Sequence, residues 1–168
     1  MAAGSTYTPI ATYTVTGSDL SGLTGVTFSS IPGTYTDIRL VQNTTLTAAA
    51  IGLLRVNGDT GSNYSGTRLA GNGSAASSSR QTSVTNIATD IAHETTTIGT
   101  YITDFMNYSN TTTYKTALIR NNNTAFGTEA QVALWRSTSA ITSVVAYLDR
   151  AESYVVGSTF TLYGIAAA

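Results

Sequence analysis

The residues able to do acid–base, nucleophilic or metal chemistry are few and stand far apart in this chain of 168 residues. His93 is the only histidine and cysteine is absent. Thiolate nucleophiles, disulfides and His- or Cys-based metal sites are therefore excluded by count. His93 lies between Ala92 and Glu94 in a polar, Thr-rich run, with no nucleophile motif beside it, and is expected on a solvated surface. Asp59, with Asn57, Gly61 and Asn63, has the look of an oxygen-donor loop. It lacks the spaced carboxylates and closing Glu of a calcium site, so a hairpin turn is the better reading. Asp104 falls inside a strand-like stretch, and if buried it needs a partner. Lys115 or Arg120 on the following strand could supply one.

Arg136 follows Trp135 and precedes Ser137 and Thr138. Two roles suit that pair. The guanidinium can fix a loop by forked hydrogen bonds to carbonyls or a carboxylate, or Trp and Arg together can form a recognition surface. Tyr64 and Tyr108, each within a polar loop sequence, carry the same two readings. No catalytic, cofactor-binding or metal-binding residue can be nominated, and an enzyme is not expected. The triplets Asn-x-Ser/Thr at Asn63, Asn72, Asn107 and Asn110 are what a chain so rich in Asn and Thr contains by chance.

The elements that must position these side chains are strands. Charged residues are only 10% of the chain, against roughly 25% in an ordinary globular domain, and Thr, Ser, Asn and Gly replace them. Thr favours strands, while Asn, Ser and Gly favour turns. With a net charge of −1 there is no cationic excess for phosphate, so nucleic acid is not an expected partner. No apolar run is long enough to cross a bilayer and no secretory signal opens the chain, so neither a membrane nor export is expected. An apolar content of 42% argues for a packed core rather than disorder.

The stretch 157–165 alternates cleanly, with Phe160, Leu162 and Gly164 on one face and Thr159, Thr161, Tyr163 and Ile165 on the other. It should close the core by pairing with strands made much earlier. The stretch 7–15 puts Tyr7, Pro9, Ala11, Tyr13 and Val15 on one face, and Pro9 sends it to an edge or a bulge. Further strands are expected around Val26 and Phe28, over 37–42 with Ile38 and Leu40 inward, and over 51–56. Others should cover 101–106, 114–119, 131–135 and 141–148. Asn57-Gly58 should make a tight hairpin from 51–56 to a returning arm at 67–69. Residues 19–24, 70–79 and 121–123 read as loops, and 82–94 as either a short helix or extended chain. About ten short strands with regular turn signals predict one all-β domain over 1–168, within which 1–6 form a flexible N-terminal arm. Its architecture should be an antiparallel β-sandwich, jelly-roll-like in preference to other two-sheet folds.

Several motifs taken in order carry a resemblance. They are Ser-Ser-Ile-Pro-Gly-Thr-Tyr-Thr-Asp at 29–37, Val-Asn-Gly-Asp-Thr-Gly-Ser-Asn-Tyr-Ser at 56–65, and Met-Asn-Tyr-Ser-Asn-Thr-Thr-Thr-Tyr-Lys at 106–115. Leu-Trp-Arg-Ser-Thr at 134–138 and the closing 157–165 complete the set. Together they resemble small virion structural proteins of tailed bacteriophages, over nearly the whole chain. The segments 88–97 and 121–128 depart from that pattern and could be contact surfaces. The resemblance implies a particle component without enzymatic activity, located in the virion after assembly in the host cytoplasm. A capsid decoration (cement) protein or short head fibre is the first expectation, a homotrimer binding the major capsid protein. A tail fibre or receptor-binding tip recognising host-surface glycan is the alternative, with loop tyrosines stacking on sugars. A glycan-active enzyme would need two carboxylates across a cleft, and no such pair can be named.

Overall fold

The computed structural model describes residues 6–17, 25–89, 97–123, 125 and 127–166. His93, the expected loop 19–24 and most of the expected arm lie outside them. Among the described residues twelve strands form: β1 (Tyr7–Thr14), β2 (Gly25–Phe28), β3 (Asp37–Thr44), β4 (Gly52–Val56), β5 (Tyr64–Gly71), β6 (Ala76–Val84), β7 (Ile87–Ala88), β8 (Gly99–Met106), β9 (Lys115–Asn123), β10 (Gly127–Trp135), β11 (Val144–Leu148) and β12 (Thr159–Ile165). No helix occurs among the described residues, so the helical option for 82–94 fails over the part that can be seen.

Two antiparallel sheets result, an eight-stranded one in the order β1-β12-β3-β8-β9-β10-β5-β6 and a four-stranded one in the order β2-β11-β4-β7. The pairings β1·β12, β2·β11, β3·β8 and β4·β7 run outside-in along the chain and alternate between the sheets. That is a two-stranded ribbon rolled up on itself, the jelly roll. The contacts β12·β3 and β11·β4 close the roll. Two hairpins, β5–β6 and β9–β10, are inserted into the ribbon and widen the larger sheet by four strands into a lateral wing. The excess over ten strands comes from β6 and β7.

Alternation drives the assembly. In β3, Ile38 and Leu40 are wholly buried, and in β12 so are Phe160 and Leu162. They face Leu54 and Val56 of β4, and Val144 and Ala146 of β11, across the layer between the sheets. Gly164 continues the inward row of β12. There the Tyr35 ring lies so close that an added Cβ would overlap it. Gly164→Ala should therefore cost about 1–3 kcal/mol through overpacking, read as a lowered urea midpoint. An unchanged midpoint would mean that Tyr35 swings away freely.

Three expectations need correction. First, β1 is an edge strand with its register shift between Pro9 and Ala11, so the bulge changes which residues face inward. Ile10 and Tyr13 both pack on the core while Tyr7 stays on the outer side, which strict alternation could not give. Second, Asn57 and Gly58 do adopt the paired positive φ of a tight turn (51° and 64°), closed by the Asp59 N–H donating to Val56 O at 2.9 Å. The chain nevertheless does not return beside β4. It crosses to the other sheet, where β5 pairs with β10 and β6. Third, residues 70–79 are not a loop but the end of β5, a short turn and the first four residues of β6, and residues 121–123 extend β9. Periodicity missed β6 because eight of its nine residues are exposed.

Candidate interaction face and the residues that frame it

The crossover from β4 to β5 is fixed by Asp59. One carboxylate oxygen accepts from the Gly61 N–H at 2.8 Å. The other accepts from Asn63 Nδ2 at 2.9 Å and from the Trp135 indole N–H at 2.6 Å. The Trp135 hydrogen bond foremost, then those from Asn63 and Gly61, hold the carboxyl below its ordinary range against the opposing effect of burial. Both carboxylate oxygens that a cation loop would use are thus turned to protein N–H groups.

Trp135 is 4% exposed and stacks on Tyr64, with ring centroids 6.5 Å apart. The Tyr64 hydroxyl donates to Asp59 O at 3.1 Å and accepts from the Val56 N–H at 3.3 Å. Burial pushes its phenol up to about 12. Arg136 reaches Ser65 Oγ at 3.0 Å and the carbonyls of Tyr64 and Ser62 at 3.3 and 3.4 Å. Tyr108 is fully buried and donates to the Pro32 carbonyl. Trp135, Tyr64 and Tyr108 are therefore interior, and Arg136 spends its donors on the crossover. Of the two roles open to these four residues, the geometry is that of loop fixing.

Asp104 is buried to 8% exposure and is gripped by Arg39, Nε to Oδ1 at 2.5 Å and Nη2 to Oδ2 at 3.0 Å. Arg120 stands 3.7 Å away on the other side. Arg39 is thus the main partner, one that adjacent-strand reasoning over 114–120 missed because β3 is the other neighbour of β8. Lys115 is not involved. It points inward at 2% exposure and donates to the carbonyls of Thr113 (2.7 Å) and Thr138 (3.1 Å), and burial lowers its pKa. As the chain's single lysine, it gives a direct probe. An amine-reactive ester should label Lys115 in the native protein more than about tenfold more slowly than after unfolding. Equal rates, read by peptide mass spectrometry, would place the ammonium in solvent.

On the solvent side of the wing, apolar side chains remain uncovered. Val132 of β10 stands opposite Leu118 of β9, and Leu69 of β5 opposite Ala130. Leu69, Val132 and Leu118 are 64%, 53% and 46% exposed. With Thr67, Ala130 and Arg120 they line a shallow depression of about 580 Å³, and the Asp104 ion pair lies at its margin. Sequence reading passed over this row because Ala117, Leu118 and Ile119 are consecutive apolar residues. Apolar residues at both parities are the signal that could have found it: one side fills the core and the other is left outside. Among the described residues, no three of His, Cys, Asp and Glu come together as cation ligands.

No known protein family, curated protein or solved structure matches this chain.

Proposed function

We propose that this protein is a non-enzymatic structural component of a tailed-phage virion, a decoration protein or short head fibre that binds the major capsid protein. The observation that carries the reading is the row Leu69, Leu118 and Val132 left exposed across three paired strands. An apolar row rimmed by polar groups is the mark of an interaction surface. The jelly roll supports the same reading, as a fold common among capsid proteins, and so does the resemblance carried by the motifs at 29–37, 56–65, 106–115, 134–138 and 157–165. The acidic side chains at the crossover and beside the apolar row are each committed to local hydrogen bonds or ion pairs. In this reading the wing face seats on the capsid shell and the protein associates as a homotrimer.

The test is to quantify the protein in purified particles and tailless heads, for the wild type and for Leu118→Asp. The proposal expects hundreds of copies per head for the wild type, their loss in a folded Leu118→Asp variant, and a trimer mass by light scattering. The glycan-binding fibre tip is favoured by the exposed rings of Tyr114 and Tyr7, 55% and 44%. A handful of copies leaving with the tails, together with glycan-array binding, would decide for it.

A further inference from the structure

The chain holds two Asn-Gly pairs, Asn57-Gly58 and Asn72-Gly73, and the fold treats them in opposite ways. We propose that Asn72 is a spontaneous deamidation and isomerisation site and that Asn57 is protected from the same reaction. The backbone nitrogen of the following glycine, unhindered by a Cβ, attacks the asparagine Cγ. A new N–C bond closes a five-membered succinimide, the Cγ–Nδ2 bond breaks, and ammonia leaves. Water then opens the ring at either carbonyl, giving aspartate or isoaspartate. The net change is one amide exchanged for one carboxylate, with no oxidant or cofactor required.

Asn72 is exposed at the tip of the β5–β6 hairpin. Gly73 takes a positive φ of 85°, and a Cβ there would meet nothing within 4 Å, so neither packing nor burial resists the rearrangement. The Asn72 Oδ1 accepts from the backbone N–H groups of Ser74 (3.0 Å) and Ala75 (2.8 Å). Two aimed donors on this oxygen stabilise the negative charge it gains when Cγ becomes tetrahedral, as an oxyanion hole does. The leaving nitrogen, Nδ2, has no partner among the described residues.

Asn57 has donors on its oxygen too, but it is clamped at both ends. Oδ1 accepts from the N–H groups of Thr142 (2.8 Å) and Ser143 (3.1 Å), and Nδ2 donates to Ala140 O at 2.7 Å. Its own N–H donates to Ser143 O at 3.0 Å. Cγ cannot turn toward the Gly58 nitrogen until several of these bonds open. With Thr142 Oγ1 also on Oδ1 at 3.3 Å, Asn57 has two such bonds more than Asn72, whose own N–H donates to Ala75 O at 3.2 Å. At a factor of about 5 for each, Asn57 should trail Asn72 by about 25-fold.

The experiment incubates the intact protein at neutral and mildly alkaline pH and maps peptides by mass. A gain of one dalton confined to the Asn72 peptide, split between Asp and isoAsp, faster at higher pH and abolished in Asn72→Gln, is the expected result. In denaturant the two sites should convert at similar rates. Conversion of Asn57 as fast as Asn72 in the folded protein would overturn the proposal, and so would an Asn72 that stays intact while converting in denaturant.

Discussion

A Phe160→Ala variant should lose about 3–5 kcal/mol of unfolding free energy, the usual cost of emptying a fully buried aromatic site. For a chain of this size that corresponds to a fall in Tm of roughly 6–20 °C. Phe160 is wholly buried, meets Tyr154 edge-on with centroids 4.8 Å apart, and lies 6.4 Å from Tyr13. Its strand, β12, is paired on both sides, with β1 and with β3. The walls of the resulting cavity are therefore held by ladder hydrogen bonds and cannot collapse inward, so the cost should fall in the upper part of the range. Phe160→Leu should lose only about 1–2 kcal/mol, because most of the volume is retained. Urea unfolding followed by the emission of Trp135, the single tryptophan, measures both. A loss below about 1 kcal/mol for the alanine variant would mean that this part of the roll repacks.

Asp59→Ala should cost about 2–4 kcal/mol, since it strips three N–H groups of a charged acceptor. The carboxyl sits below its usual range in the folded state, first because of the Trp135 N–H. The folded state therefore holds fewer protons than the unfolded one as pH falls. The resulting stabilisation is fully present above the unfolded carboxylate range near pH 4 and is lost as pH drops through the lower folded value. Between about pH 5 and pH 2 the wild type should thus lose more stability than Asp59→Asn does, and its Trp135 emission should shift in the same window. Asp149, lowered first by its hydrogen bond from Arg150, adds a slope that both proteins share. Parallel stability curves for the two would show that Asp59 contributes nothing through its charge.

Much of the roll could be read from the chain because its strands are buried on one face. Ile38 and Leu40, or Phe160 and Leu162, alternate with polar residues, and the period of two assigns both strand and face. Pro9 marked an edge for a reason that survives folding: it lacks the donor that a ladder needs. The wing was harder. Nothing in Ala76–Val84 alternates, since both of its sides meet solvent and only the ladder to β5 holds it extended. The crossover at 57–63 misled for a different reason. A turn's dihedrals are local and were legible in Asn57-Gly58, whereas the strand that receives the chain afterwards is chosen by packing between sheets. The same limit hid the pairing of Arg39 with Asp104, 65 positions apart. Trp135 and Arg136 could not be divided between loop and surface until the position of Asp59 was known.

The pairing of β1 with β12 also sets an order of events during synthesis. At about 5–20 residues per second, the first strand leaves the ribosome many seconds before its ladder partner β12 is made. Until then the nascent chain exposes Ile10 and Tyr13 with nothing to cover them, and the large sheet has an open seam between β1 and β3. A message cut short before Thr159–Ile165 is translated would yield a chain that cannot shut this seam. Such fragments belong to chaperones and proteases.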